Sequence, residues 1–207
     1  MQTHESSLFT PAEAAVLTRL SLKAVNNAID RKIVAAIHGS REGHAIRLLG
    51  FRALLALTLE RRLADRFMPQ LRRELLSALA DAPRHTVSLE GGFLRIDLKE
   101  PRRELAASIR ELRRARHIVH RDPEIMGGAP VFRGTRLPVY MIAALLGQGT
   151  AEADLLDDYP RLTVEMLCLA PVYAAAYPLR GRPLAQPWRE RPPIRSQRRK
   201  LKTIKVA

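Results

Sequence analysis

The side chains best suited to metal binding or acid–base chemistry stand close together in the sequence, at His117, His120, Asp122 and Glu124. Imidazoles and carboxylates bind metals or transfer protons when several of them point at one position. We expect residues 118–119 to form a strand, and strand residues three apart point to opposite faces, so the two histidines would not converge. Asp122-Pro123 is better explained as a turn whose carboxylate accepts backbone N–H groups. We therefore predict no enzyme activity, no metal and no cofactor.

A second group of polar side chains is suited to nucleic acid, and two short helices must position it. The run Thr10-Pro11-Ala12-Glu13 combines a capping hydroxyl, a proline at the first helical position and a glutamate three residues after the cap, which predicts a helix over about 11–18. Ser21 is a second N-cap, followed by apolar residues at helical spacing: Ala24, Val25, Ala28 and Ile29. The pattern is typical of a helix-turn-helix.

Between these apolar positions, the second helix carries side chains that face outward. Amides suit base edges and cations suit phosphates, so we predict DNA contacts along this helix. The residues predicted to bind DNA there are Ser21, Lys23, Asn26, Asn27, Arg31 and Lys32. An ordinary solvated helix face is the alternative.

The next residues predict a β-hairpin, with strands over 33–37 and 44–48 around a glycine-containing tip. Residues 8–60 thus resemble the winged helix-turn-helix of the MerR and excisionase type. That resemblance implies that Arg41, His44 and Arg47 contact the DNA backbone or the minor groove. For His44, a solvated loop position is an equal alternative.

Leucines recur every four residues from 50 to 80, and Pro69 interrupts the pattern because it lacks a backbone N–H. We predict two helices that meet near residue 68 and provide a core and a dimer seam, and therefore a homodimer. A second hairpin over 87–98 has no assigned chemistry. A helix over 100–116 is predicted to be a solvated connecting helix, and a helix that faces phosphates is the alternative.

Residues 122–149 contain two glycine-containing turns around a short apolar run, followed directly by a predicted helix. This arrangement resembles a small domain family of unknown function with the signature D-P-x-x-x-x-G-x-P-V-x-x-G-T-R-(I/L)-P-V. The signature is present here as Asp122, Pro123, Gly128, Pro130, Val131, Gly134, Thr135, Arg136, Leu137, Pro138 and Val139. A second family motif follows at 158–163, and the resemblance covers about 117–177. Members of that family are commonly VapB-like antitoxins, which implies operator DNA and a ribonuclease toxin of the PIN class as partners.

Within this region we predict helices at about 139–147, 151–157 and 163–177 that bury their apolar residues together. Pro171 puts the continuity of the last helix in doubt. Arg133 and Arg136 are expected to pair with aspartates at 154, 157 or 158. The single cysteine, Cys168, is expected to be a buried, inert thiol.

Charge alternates along the chain, whose net charge is +14. Residues 1–116 carry 21 Lys or Arg against 13 Asp or Glu, residues 117–179 carry 4 against 7, and residues 180–207 carry 10 against 1. Two basic blocks around an acidic one indicate separate polyanionic or acidic partners. No apolar run is long enough to cross a bilayer, and the first residues lack a signal-peptide pattern, so we expect a cytoplasmic protein without membrane contact.

Residues 180–207 are rich in proline and arginine, and we expect a flexible arm. It holds the chain's one tryptophan, and a large aromatic in such an arm suggests a docking anchor. With an antitoxin in view, the residues expected to contact the toxin's acidic cleft are Leu184, Trp188, Arg189, Arg191, Ile194 and Arg195. A nonspecific basic tail is the alternative.

The predicted fold is mainly α, with a winged helix-turn-helix, a small helical domain, short β-hairpins and a flexible basic tail. Its divisions are a DNA-binding domain at 1–82, a hairpin and connecting helix at 83–116, an antitoxin-family domain at 117–178 and a toxin-binding tail at 179–207. The predicted function is an antitoxin that represses its own operon and forms a hetero-oligomer with its toxin. The alternatives are a stand-alone transcription regulator, and an RNA-processing enzyme or RNA-binding adaptor.

Overall fold

The computed structural model describes residues 7–41, 44–63, 67–80 and 85–179. This part of the chain is mainly helical, as predicted. The helices are α1 Pro11–Thr18, α2 Leu22–Asp30, α3 Phe51–Leu63, α4 Pro69–Ala80, α5 Lys99–His117, α6 Val139–Gly147, α7 Glu152–Asp158 and α8 Val164–Ala176. The strands are β1 Ile37–Arg41, β2 His44–Leu48, β3 Thr86–Leu89, β4 Leu94–Asp97, β5 Val119–His120 and β6 Val131–Phe132, and they form three two-stranded antiparallel sheets. None of the described helices is long and apolar enough to span a membrane.

The first two helices begin where their capping residues predict. Thr10 and Glu13 form a reciprocal capping box at the start of α1, and Pro11 occupies its first position. The Ser21 hydroxyl accepts a hydrogen bond from the backbone N–H of Ala24, 3.1 Å away, at the start of α2. Helix α1 packs on α2, and Val25 and Ala28 are buried.

The hairpin after α2 forms, but its first strand lies four residues later than predicted. Two residues after the end of α2, Lys32 has a left-handed conformation (φ 56°). The N–H groups of Ile33 and Val34 donate to the carbonyl of Ala28. Val34 is buried, so residues 33–36 close the end of the helix. Residues 38–41, which the sequence assigns to the tip, belong to β1 instead.

Helices α3 and α4 are separated near residue 68, as the proline predicts. Residues 54–59 of α3 are all buried, and α3 contacts α1, α4 and α5. The expectation that the leucines of 50–80 supply a dimer seam is wrong for α3, because the chain itself covers them.

Helix α5 differs most from its prediction. It is the central helix of the fold, since Leu105, Ile109 and Leu112 are fully buried and α5 packs against α1, α3 and α8. The leucine and isoleucine positions lie on one stripe, and the exposed arginines at 103, 110 and 114 lie on the opposite face. Helix α5 is therefore not a solvated connection between the N-terminal half (α1 to β4) and the C-terminal half (β5 to α8) of the described fold.

The second core lies under α6, α7 and α8. Its buried members include Phe132, Val139, Ile142, Leu155 and Tyr173. Helix α8 runs unbroken through the exposed Pro171, so the doubt about its continuity is resolved. The two cores meet at Val172 and Tyr177, which pack against both.

Cys168 is exposed, so the expectation of a buried thiol is wrong. Its neighbours Leu167 and Leu169 are buried, and the side chain of Cys168 between them points to solvent.

Candidate nucleic-acid interface

The outer face of α2 brings together most of the predicted DNA-binding residues. Lys23 and Asn27 are exposed one turn apart, and Asn26 beside them is half-buried. Arg31 and Lys32 are exposed at the C-terminal end of the helix. Ser21 is exposed, although its oxygen already accepts the capping hydrogen bond. This face offers cations and an amide to a ligand, which is the chemistry that phosphates and base edges require.

Arg47 on β2 contacts α2 within the chain. Its guanidinium donates to Asp30 at 2.6 Å and to the amide oxygen of Asn26 at 2.9 Å. The fork therefore holds the hairpin against the helix and leaves the NH₂ group of Asn26 as a donor. It also neutralises Asp30, an anion that would otherwise repel phosphates from this face. The sequence assigned Arg47 to DNA alone and missed this positioning role, which depends on the strand register.

Arg41 and His44 are the last paired residues of the β1–β2 ladder, at the end opposite the Ile37–Leu48 pair. Their side chains lie outside the described residues, and their DNA contacts stay predictions. The same holds for the arm residues from Leu184 to Arg195, all of which lie in the undescribed segment 180–207.

The first half of the family signature forms a turn, as predicted. The Asp122 carboxylate accepts a hydrogen bond from the N–H of Glu124 at 2.9 Å, and the Asp122 carbonyl accepts one from Ile125. Pro123 lies in this turn, and Gly128 has a φ of 81°, which favours glycine. Pro130 is buried just before β6.

The second half of the signature fixes the start of α6. Thr135 donates through its hydroxyl to the carbonyl of Phe132 at 2.9 Å and accepts from the N–H of Leu137 at 3.1 Å. Gly134 in the same turn has a φ of 76°. Pro138 then forms a bridge with Val131 and caps α6. The signature residues named here act on the backbone of their own domain.

The arginines around this turn have different partners from those predicted. Arg133 donates to the carbonyl of His117 at 3.1 Å, and it is Arg161 that reaches the carbonyl of Gly134, at 3.3 Å. Arg136 is exposed. Within the described residues, no ion pair joins Arg133 or Arg136 to the aspartates of α7, so that expectation is wrong.

The histidines of the candidate metal cluster lie on different elements. His117 is the last residue of α5 and not part of a strand, while His120 is in β5, with its Nε2 3.9 Å from a carboxylate oxygen of Asp122. In the described ranges no three His, Cys, Asp or Glu side chains are grouped so as to hold a metal ion.

Sequence reasoning missed a buried cluster that joins the two halves. The Glu13 side chain on α1 is 4% exposed, and one of its oxygens accepts hydrogen bonds from the Tyr177 hydroxyl at 2.6 Å and from the Arg116 guanidinium. The other oxygen accepts from the N–H of Thr10 at 2.8 Å. Arg116 also lies 5.7 Å from the centre of the Tyr177 ring. Both oxygens of this buried carboxylate therefore accept hydrogen bonds from within the protein.

The cluster changes the acidity of Tyr177, which follows the end of α8. Burial, and then the hydrogen bond to Glu13, raise the pKa of Tyr177 well above the ordinary tyrosine value. The Tyr177 carbonyl accepts a hydrogen bond from the Tyr140 hydroxyl of α6. Glu13 therefore fixes α1, on which α2 packs, to α5 and to the end of α8.

One relative matches most of this chain and shows its family. The uncharacterized protein y4eO of Sinorhizobium fredii (strain NBRC 101917 / NGR234) is 36% identical to this chain over 190 residues, which are 86% of this chain and 85% of the relative. This chain belongs to the y4eO family.

Within this y4eO-family chain, residues 119–174 match DUF433, a protein family of unknown function. This confirms the small domain family expected over about 117–177. Two crystal structures are similar in part. A DUF433 member protein from Anabaena variabilis ATCC 29413 is 23% identical, with a TM-score of 0.27, covering 52% of this chain and 87% of that one. Rv2018 from Mycobacterium tuberculosis is 17% identical, with a TM-score of 0.30, covering 79% of this chain and 96% of that one.

Proposed function

We propose that this protein is an antitoxin that binds operator DNA with the outer face of α2 and neutralises a ribonuclease toxin with the segment 180–207. One observation carries the DNA half of the proposal. Arg47 holds the hairpin against α2 and pairs with Asp30. Lys23 and Asn27 therefore lie beside a hairpin that is fixed to the helix, and the negative charge of Asp30 is balanced. A rigid helix beside a hairpin is the arrangement with which winged readers enter a groove.

Three features support the antitoxin half. Residues 119–174 match DUF433, and the signature resembles that of VapB-like antitoxins. The segment 180–207 carries 10 Lys or Arg against 1 Asp or Glu. Such a segment suits the negative cleft that metal-binding carboxylates give to a ribonuclease of the PIN class.

We also propose a cytoplasmic homodimer that represses its own operon and has no enzyme activity. A reader with one recognition helix per chain gains affinity when two copies bind two half-sites. Because α3 is covered within the chain, the dimer contact must lie elsewhere. A stand-alone regulator is the second candidate, since the contacts that fix α2 and the hairpin need no toxin.

The test is to co-express the chain with the product of the neighbouring reading frame and to measure copurification and RNA cleavage. We expect a stable complex and loss of ribonuclease activity. Removal of 180–207 should abolish inhibition and leave dimerisation intact, and Trp188→Ala should weaken toxin binding by about 2 kcal/mol if it is a hot spot.

The controls separate the two candidates. If the truncated chain still silences the toxin at equal stoichiometry, neutralisation lies in 117–178 and not in the arm. If no neighbouring product binds while operator DNA is still bound, the protein is a stand-alone regulator.

A further inference from the structure

An apolar groove lies where α1, α2 and α8 meet. Its volume is about 390 Å³, and the residues that line it are apolar: Ala12, Ala15, Val16, Leu20, Leu22 and Ala175. The alanines of α1 and α8 make the hollow, since their small side chains leave room between the helices. Leu22 at its rim is 38% exposed. Such a surface gains free energy when an apolar group covers it.

The chain's own continuation starts beside this groove. Ala175 lies in the last turn of α8, and the hydrogen bond from the Tyr177 hydroxyl to Glu13 holds the end of that helix against α1. The last described residue, Leu179, follows Ala175 by four positions. The described fold therefore ends four residues after a residue that lines the groove.

The segment 180–207 contains a side chain suited to the groove, Trp188, and is long enough to bring it there. Trp188 is the only tryptophan in the chain and lies nine residues beyond Leu179. Nine extended residues span up to about 30 Å, and Ala175 precedes Leu179 by only four positions, so the segment is long enough to turn back toward the groove. An indole buries roughly 150–250 Å² of mostly apolar surface, and its neighbours Arg189 and Arg191 can stay in solvent at the rim.

We propose that Trp188 of the same chain occupies the groove between α1, α2 and α8 when no partner is bound. The groove adjoins the first turn of α2, because Leu22 lines it and Lys23 is the next residue. The basic arm would then lie next to the proposed DNA face. A partner that captures Trp188 would draw the arm away from that face. This contact would form in the free chain, so its test requires no toxin.

Tryptophan fluorescence of the free, full-length chain, excited selectively at tryptophan, tests this, because Trp188 is the chain's only tryptophan. We expect emission shifted to the blue and weaker quenching by acrylamide than in the same chain unfolded in urea, with no dependence on protein concentration. Ala175→Glu should shift the emission to the red, toward that of the unfolded chain. A glutamate attracts the basic segment 180–207 electrostatically. A red shift in this variant would therefore show that the lost contact is apolar.

The matched control is Ala153→Glu, the same change at another exposed helical alanine, on α7. It should keep the blue-shifted emission. Leu22→Ser provides a second groove variant, and circular dichroism checks that each variant is folded. Emission of the full chain equal to that of the unfolded chain overturns the proposal, and so does a blue shift that Ala175→Glu leaves unchanged. A blue shift that grows with concentration, alongside doubled mass in light scattering, assigns the groove to a second copy and overturns it too.

Energy transfer gives an independent distance. The only cysteine, Cys168, is exposed on α8, seven residues before Ala175, about 10 Å along the helix. A fluorescent acceptor on Cys168 should take up most of the Trp188 emission in the free chain and much less in Ala175→Glu. Equal transfer in the native chain, the variant and the chain unfolded in urea contradicts the proposed seat.

Discussion

Two of the clusters of charged side chains in this fold, around Asp30 and around Glu13, differ in burial and in the distance along the chain that they span. Arg47 and Asp30 are 36% and 61% exposed and join neighbouring elements of the N-terminal half, whereas the Glu13 side chain is 4% exposed and joins that half to α5 and α8. A buried carboxylate must be fully hydrogen-bonded, because its desolvation is expensive, while an exposed pair is screened by water and salt. The buried cluster therefore governs how the halves fit together, and the exposed one shapes a surface that a ligand can meet.

The largest effect should follow from removing the buried carboxylate. Glu13→Ala leaves Arg116 and the Tyr177 hydroxyl without their acceptor and deletes the capping box of α1. We expect the free energy of unfolding in urea to fall by about 2–4 kcal/mol, toward the lower end of values for broken buried pairs because Arg116 is partly exposed. Glu111→Ala, at an exposed glutamate of α5, is the control and should change stability by less than about 0.5 kcal/mol. Equal losses in both variants would contradict a joining role for Glu13.

The next effect concerns the exposed face and is measured on DNA. If Asn27 reads a base edge, Asn27→Ala should weaken binding to the cognate operator by about 1–3 kcal/mol and leave random DNA unaffected. Lys23→Ala should weaken both DNAs and reduce the salt slope by about one, as expected for a phosphate contact. Titrations at several salt concentrations distinguish the two. Equal loss on both DNAs in Asn27→Ala would remove its reading role.

A pH titration sharpens the difference between the clusters. Because burial and the hydrogen bond to Glu13 raise the pKa of Tyr177, the folded protein keeps the Tyr177 proton at pH values where the unfolded chain loses it. The stability from this hydroxyl is complete below the unfolded tyrosine pKa of about 10 and decreases as pH rises above it. Tyr177→Phe should lower stability at pH 7 by about 1 kcal/mol and flatten the alkaline decline. Urea unfolding at pH 7 and at a series of higher pH values through the alkaline decline measures both, and an unchanged slope in the variant would show that another group titrates.

Local patterns predicted the elements well, because caps and turns depend on neighbouring residues. Thr10, Ser21 and Pro69 begin helices where the sequence predicts, and the glycines of the signature turns have positive φ. Contacts between distant residues did not follow. Glu13 was assigned only to its capping box, and nothing in the spacing connects it with Arg116, 103 positions away, or Tyr177, 164 away. The apolar stripe of α5 did indicate a buried face, but its many arginines favoured a solvated interpretation.

The smallest stability effect should come from the exposed pair, where the interest lies in DNA binding. Arg47→Ala removes a pair that is well solvated on both sides, so the free energy of unfolding should change by less than about 1 kcal/mol. Binding to every DNA sequence should nevertheless weaken, because Asp30 then presents an unpaired negative charge beside Lys23 and Asn27. The double variant Arg47→Ala/Asp30→Ala separates the two roles of Arg47. If Arg47 acts by covering Asp30, the second substitution restores part of the affinity. If Arg47 itself contacts phosphate, affinity stays low in both variants and the salt slope is reduced by about one. A stability loss as large as that of Glu13→Ala would mean that the exposed cluster supports the fold as much as the buried one, and the contrast between them would fail.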